Sequence, residues 1–92
     1  MARVLVKLYA VLRERLGKPQ LWVEAGTAAE ALAEVARAGG PEAVKVLYDE
    51  EGAVRNEFVL SLDSEILDRG ALKTAALKSG SVLHIFPPIS GG

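Results

Sequence analysis

A strand-like run that stops at a proline pair, followed by a glycine pair at the last two positions, most constrains this sequence. Residues 81–86 alternate in hydrophobicity, and Pro87-Pro88 stops the strand because proline lacks a backbone N–H and fixes φ. The prolines predict a stiff spacer that leads away from the folded part. Gly91-Gly92 carries no side chain, so a narrow channel in another protein could admit it. We therefore predict that residues 87–92 form an extended, flexible tail.

The composition excludes several functional classes. The 92 residues suffice for one small domain, and 11 basic against 12 acidic residues leave a net charge of −1, so we expect no nucleic-acid partner and no membrane partner. No apolar run reaches membrane-span length and the N-terminus lacks a signal-peptide pattern, which predicts a cytoplasmic location. The chain has no cysteine and one histidine, His84. We therefore expect no disulfide, no cysteine nucleophile and no metal site.

Hydrophobic alternation predicts four strands and favours a fifth. A period of two indicates a strand with one buried face. The runs with this pattern are residues 3–9, 20–24, 57–62 and 81–86, and a short strand is expected at 65–67.

Helical spacing predicts one main helix and one shorter one. Thr27 and Glu30 form a T-x-x-E capping box at the start of the main helix, and Gly39-Gly40 ends it. Residues 41–48 predict a second helix with proline at its first position. Residues 10–16 are rich in helix formers and predict a helical turn or a wide loop.

This order of elements predicts an α+β fold, with a mixed sheet of four to five strands packed on one main helix. If the first and last strands pair at the centre of the sheet, they run parallel, which requires the crossover that the helix supplies. That arrangement is a β-grasp fold, and we expect residues 1–92 to form a single domain.

The ending resembles a known family. Leu77-Lys78-Ser79-Gly80-Ser81-Val82, then Ile85-Phe86-Pro87-Pro88 and the terminal Gly91-Gly92, are similar to the signature of ubiquitin-like sulfur carriers, most closely the small subunits of molybdopterin synthase. Val11-Leu12-Arg13-Glu14, after the first strand, is also similar to this family. The chain departs from the family at Asp63-Ser64, where Asn-Gly is common, and at Ser81, where an acidic residue is common.

The resemblance implies a non-catalytic, ubiquitin-like sulfur carrier that binds no cofactor itself. An E1-like adenylating enzyme would use ATP to activate the Gly92 carboxylate, and a sulfur donor would convert it to a thiocarboxylate. The tail would then enter the large catalytic subunit of molybdopterin synthase, in a heterotetramer, and donate sulfur to a pterin precursor. The chemistry is consistent with the residues, because an ionised carboxylate must be activated before sulfur can attack it.

The candidate site residues lie in and near the tail. Gly92 carries the reactive carboxylate, and the candidate binding residues are Gly91, Ser90, Ile89, Pro88, Pro87, Phe86 and Lys78. Phe86 is interpreted either as core or as a partner contact. Lys78 is interpreted as a residue of a solvated turn, or alternatively as lying near the base of the tail. His84 is interpreted as an outward polar residue rather than a catalyst, because no second catalytic group lies within sequence reach.

Alternatives remain open at this stage. The same tail suits carriers for thiazole synthesis or tRNA thiolation. It also suits a ubiquitin-like modifier that forms isopeptide bonds to lysines. A plain interaction domain with an inert, frayed terminus is a further alternative.

Overall fold

Five strands and two helices make up the described part of the chain. The structure is a computed structural model that describes residues 1–55 and 57–87, apart from the side chain of Arg69. The strands are β1 (Ala2–Leu8), β2 (Gln20–Ala25), β3 (Val59–Leu62), β4 (Glu65–Ile66) and β5 (Val82–Phe86). The helices are α1 (Ala10–Leu16) and α2 (Ala28–Leu47), and a 3₁₀ turn spans Arg69–Ala71.

The strands form one mixed sheet in the order β2-β1-β5-β3-β4. β1 and β5 pair in parallel at its centre, with Leu5 opposite Val82 and Leu8 opposite Ile85, and every other pair is antiparallel. Parallel neighbours need a crossover, which the segment containing α2 provides. The predicted β-grasp fold and the parallel pairing of the first and last strands are confirmed, and the sheet has five strands.

The core lies between one face of this sheet and α2. Alternate residues of the two central strands are at most 1% exposed, and so are the residues that α2 presents to them at helical spacing. The strand residues are Val4, Val6, Leu8, Leu83 and Ile85, and the helix residues include Ala28, Ala31, Leu32 and Val35. The small alanines let the helix lie close to the sheet. Leu72 and Leu77 are also buried.

α2 begins and bends where the sequence predicts. The Thr27 hydroxyl oxygen accepts the Glu30 N–H at 3.2 Å. The Glu30 carboxylate accepts the Gly26 N–H at 2.7 Å, whereas a standard capping box would use the N–H of Thr27. Gly40 has φ 74° and ψ −163°, outside the helical region, so the backbone turns there and resumes as a helix after Pro41. The two predicted helices are therefore both present within α2, separated by a sharp break at Gly40.

The segment after β1 is a complete helix rather than a single turn or a loop. α1 buries Leu12 fully and ends at Gly17, whose φ of 73° and N–H···O bond to Arg13 form a left-handed cap. It packs against α2 at Gly39. A Cβ added at Gly39 would lie 2.8 Å from Leu16 Cδ1 and closer still to the Cβ of Ala43, so only glycine fits there.

The turn at Asp63-Ser64 joins β3 to β4 and is hydrogen-bonded to the start of the central strand β5. Asp63 and Ser64 have φ of 49° and 90°, the left-handed geometry that two-residue hairpins need. The Asp63 carboxylate accepts the Val82 N–H at 2.8 Å, and the Asp63 N–H donates to the Val82 carbonyl at 3.0 Å. Aspartate therefore fastens the hairpin to the start of β5.

Substitution of Gly39 tests the contact between α1 and α2. We expect Gly39→Ala to lower the free energy of unfolding by about 1–3 kcal/mol, because the added methyl group overpacks the junction. Gly70→Ala is the matched control, since its Cβ would meet only Asp68 Oδ2 at 3.6 Å. Chemical denaturation of both variants measures the difference, and equal stabilities would contradict a tight contact at Gly39.

Candidate functional site

The base of the predicted tail lies at the end of the central strand β5. Phe86, the last residue of β5, pairs with Val59 of β3, and Pro87 follows it half-buried. Every predicted tail residue after Pro87 lies outside the described residues: Pro88, Ile89, Ser90, Gly91 and Gly92. Because β5 is bonded to strands on both sides, the tail begins from a firmly held point of the sheet.

Three stacked rings lie beside the base of the tail, and we call Tyr9, His84 and Phe86 the aromatic cluster. The Tyr9 and Phe86 ring centroids are 4.9 Å apart with planes 19° apart, and the His84 and Phe86 centroids are 5.4 Å apart with planes 3° apart. Tyr9 and His84 also make a hydrogen bond of 2.9 Å between the hydroxyl oxygen and Nδ1. The stacking and this bond fix each ring relative to the others.

The aromatic cluster lies on the face of the sheet opposite α2. Alternation along β5 directs Val82, His84 and Phe86 to this outer face, while Leu83 and Ile85 enter the core. Phe86 is 37% exposed, so of its two interpretations the structure supports an accessible aromatic residue rather than a core residue. Leu5 is half-buried opposite Val82 and extends the apolar surface, as expected for neighbouring strands.

Further exposed apolar residues lie on the same outer face, towards its two edges. Ile66 of β4 is 76% exposed, and Trp22 of β2 is 51% exposed with the Arg3 guanidinium 5.2 Å from its ring centroid. Cation–π contact and the neighbouring strand hold Trp22 in place without covering it. The outer face therefore presents accessible apolar and aromatic surface, of the kind that protein partners bind.

The structure places Lys78 in a turn at the other end of β5 from the base of the predicted tail. Lys78 precedes β5, and the following turn is tied to the start of β1 by the Gly80 N–H, which donates to the Arg3 carbonyl at 2.9 Å. The five residues of β5 separate this turn from the tail by about 17 Å. Lys78 is exposed, which matches its interpretation as a residue of a solvated turn.

The described residues of the outer face form an accessible apolar and aromatic surface. His84 is half-buried, faces outwards and contacts Tyr9 and Phe86. Among the residues that the structure describes, no three His, Asp or Glu side chains come together in a way that could hold a metal ion. None of the helices described is both long enough and apolar enough to cross a membrane.

Tyr9 is the residue of this site that sequence reasoning did not single out. The alternation of residues 3–9 places Tyr9 on the face of Leu5 and Lys7, so its orientation could be predicted. Its contact with Phe86 depends on the parallel pairing of β1 with β5, because that pairing aligns the ends of the two strands.

A separate cavity of about 520 Å³ lies on the helix side of the molecule. Its lining is mostly small or apolar and includes Ala29, Val54 and Leu72, with Lys73 and Tyr48 as its polar members. Partial burial raises the pKa of the Tyr48 hydroxyl above its ordinary value of 10.0, because desolvation disfavours the phenolate. The cavity shares no lining residue with the aromatic cluster.

Comparison with known families gives one match, which covers nearly the whole chain. The ThiS family matches residues 6–92, a range that contains the aromatic cluster and the terminal glycines. No curated protein sequence matches closely enough to count as a relative.

Solved structures with the same fold come from several systems. Small archaeal modifier protein 1 from Methanosarcina acetivorans has a TM-score of 0.85 and 26% identity, covering 100% of this chain and 98% of that one. A chain of the BexX/CysO complex from Amycolatopsis orientalis has a TM-score of 0.78 and 20% identity, covering 97% and 99%. A chain of the complex of molybdopterin-converting factor subunits 1 and 2 from Helicobacter pylori has a TM-score of 0.65 and 20% identity, covering 98% and 99%.

The raised pKa of Tyr48 predicts a specific loss of stability in alkali. In the unfolded chain Tyr48 ionises near pH 10, while the folded protein retains the proton to higher pH. The free energy of unfolding therefore falls as the pH rises above about 10, up to the folded-state pKa. The free energy of unfolding of Tyr48→Phe should not show this part of the decline. Chemical denaturation of both proteins from pH 8 to pH 11 measures the difference, and parallel stability profiles would contradict the prediction.

Proposed function

The chain belongs to the ThiS family, and from this premise we propose that it acts as the small, sulfur-carrying subunit of molybdopterin synthase. A sulfur carrier or ubiquitin-like modifier is the general class that the family match and the fold support. The choice of the molybdopterin pathway rests on the Phe86-Pro87-Pro88 and Gly91-Gly92 ending, which resembles that of molybdopterin synthase small subunits.

The observation that carries the proposal is the continuity of the family match through the last residue, Gly92. The chain has no cysteine, so it has no thiol on which to carry sulfur. The terminal carboxylate is the group that can take that role. Pro87-Pro88 would hold it away from the domain, and Gly91-Gly92 would let it pass through a narrow opening.

The proposed activation has two steps. One Gly92 carboxylate oxygen attacks the α-phosphate of ATP, which forms an acyl-adenylate and releases pyrophosphate. Sulfide-level sulfur from a donor, as HS⁻, then attacks the acyl carbon; AMP leaves with the bonding electron pair and the carboxylate oxygen, and the new thiocarboxylic acid loses its proton. The product is a thiocarboxylate, whose anionic sulfur is a competent nucleophile. An E1-like adenylating enzyme would supply ATP and the catalytic groups, because this chain offers only the acyl group.

The aromatic cluster would serve as the docking surface for the large synthase subunit. Aromatic residues that are exposed and held rigidly are common energetic centres of protein interfaces. Phe86 lies directly before Pro87, so a partner that covers the cluster also receives the tail at a fixed position. Docking and delivery of the carboxylate would thus be coupled by one rigid strand, in a heterotetramer of two small and two large subunits.

A protein modifier is the second candidate. The similarity to small archaeal modifier protein 1, at 26% identity and matching length, favours it. Activation of Gly92 would be the same, but a lysine amine of a target would attack the acyl carbon and form an isopeptide bond. The two candidates therefore differ in the acceptor and share the activated terminus.

Mass spectrometry after coexpression with an E1-like adenylating enzyme tests the chemistry. We expect one oxygen of the intact chain to be exchanged for sulfur, and the change to lie in the C-terminal peptide. A variant with one alanine appended after Gly92 should show no exchange, because its new terminus lacks the diglycine ending. Lysine-linked adducts instead of the sulfur product would favour the modifier, and an unmodified terminus would contradict both candidates.

Substitution of Phe86 tests the docking surface. We expect Phe86→Ala to weaken binding to the large synthase subunit about thirtyfold, equivalent to about 2 kcal/mol, because it removes the ring at the centre of the cluster. Val44→Ala is the matched control, since Val44 is 44% exposed on α2, away from the outer face. Calorimetry would measure both affinities, and equal binding by the two variants would contradict the assigned surface.

A further inference from the structure

The edge strand β2 presents a regular row of unused backbone groups. The Leu8 N–H donates to the Pro19 carbonyl at 2.8 Å, so this residue pair is a hydrogen-bonded pair of the antiparallel β1–β2 ladder. Bonded and non-bonded pairs alternate along such a ladder. The N–H and C=O groups of Gln20, Trp22 and Glu24 therefore point away from β1, towards the free edge of the sheet.

This edge has few of the usual features that prevent pairing. β2 spans Gln20–Ala25 and matches β1 residue by residue without a bulge, and it contains no lysine or proline. Exposed edges are commonly protected by such residues, by bulges or by short length. The opposite edge, β4, is only two residues long. Trp22, half-exposed on the outer face, adds apolar surface in the middle of the unprotected edge.

We propose that a second copy of this chain pairs with β2 across a two-fold axis at Trp22. Around this centre Trp22 faces the partner's Trp22, and Gln20 faces the partner's Glu24 on both sides. Each of the three pairs can exchange two backbone hydrogen bonds, because the outward groups of both strands lie in phase. The two five-stranded sheets then form one continuous sheet of ten strands, joined by an antiparallel contact between the two copies of β2.

The side chains of the edge are self-complementary in this register. The Gln20 amide can donate to the partner's Glu24 carboxylate, which places the one charge of β2 opposite a hydrogen-bond donor. The Trp22 rings meet at the axis, each already held by Arg3 on the same face. On the other face Leu21, half-buried in one chain, comes to lie opposite the partner's Val23. Self-complementarity is the reason to choose a second copy over an unrelated peptide.

The dimer is independent of the proposed sulfur chemistry and leaves the tail accessible. β5 is separated from β2 by β1, so the base of the tail lies about 10 Å from the edge. Because the two-fold axis reverses the strand direction, the two tails leave at opposite ends of the joined sheet. A contact limited to one strand edge buries little area, so the association is weak and depends on concentration.

Sedimentation velocity over a range from about 10 µM to about 1 mM tests the proposal. We expect the apparent mass to rise from 9.8 kDa towards twice that value. Gln20→Glu should weaken association about tenfold, because it places two carboxylates opposite each other at each end of the contact, and Gln20→Lys should strengthen it. Gln20 is exposed but lies opposite Lys7 of β1, so thermal unfolding of each variant at low concentration controls for changes within the monomer. A monomer throughout the range, or equal behaviour of the two variants, would overturn the proposal.

A single introduced cysteine tests the register, because the natural chain has none. Opposed residues in a bonded pair have Cα atoms about 5.5 Å apart, within reach of a disulfide. Trp22→Cys should therefore form a disulfide-linked dimer under mild oxidation faster than Ile66→Cys, which lies exposed on the same face at the other edge. Equal rates of disulfide formation for the two variants would overturn the register centred on Trp22. Binding of a different extended peptide at this edge, in place of a second copy, would overturn the choice of partner.

Discussion

The parallel pairing of β1 with β5 is the interaction on which the rest of the structure depends. It joins the two ends of the described chain at the centre of the sheet, through contacts such as the Leu5 N–H with the Ser81 carbonyl at 3.0 Å. Such pairing closes a loop of more than seventy residues and is entropically costly. Full burial of the inner faces of both strands offsets that cost, which is why their alternation is so regular.

The same pairing creates the site. Register in a sheet determines which side chains share a face, and a shift by one residue would send His84 and Phe86 into the core. With the observed register they lie outside, and Tyr9 follows β1 directly beside them. The core on one side therefore determines the aromatic cluster on the other. The same strand determines the position of Pro87, where the predicted tail begins, because Pro87 follows Phe86.

Much of this arrangement could be predicted from the sequence, for identifiable physical reasons. Period-two alternation, the capping box at Thr27 and the break at Gly39-Gly40 are local signals, and each appears in the structure. Contacts between distant residues were harder to predict. The stack of Tyr9 on Phe86 and the fit of Gly39 against Leu16 depend on packing that no local pattern encodes. Lys78 is close to the tail in sequence but not in space, because the strand β5 lies between them.

The same fold and the same proposed activation of Gly92 suit both a sulfur carrier and a protein modifier, so the terminus alone cannot determine the pathway. Activation of the last carboxylate is chemically identical in the two cases, and only the acceptor differs. Selection of the acceptor must therefore depend on which partner covers the folded surface while the tail is delivered. In this chain the rigid apolar surface nearest the tail is the aromatic cluster. Substitutions that change only the aromatic cluster and leave the core untouched are thus expected to redirect the chain from one partner to another.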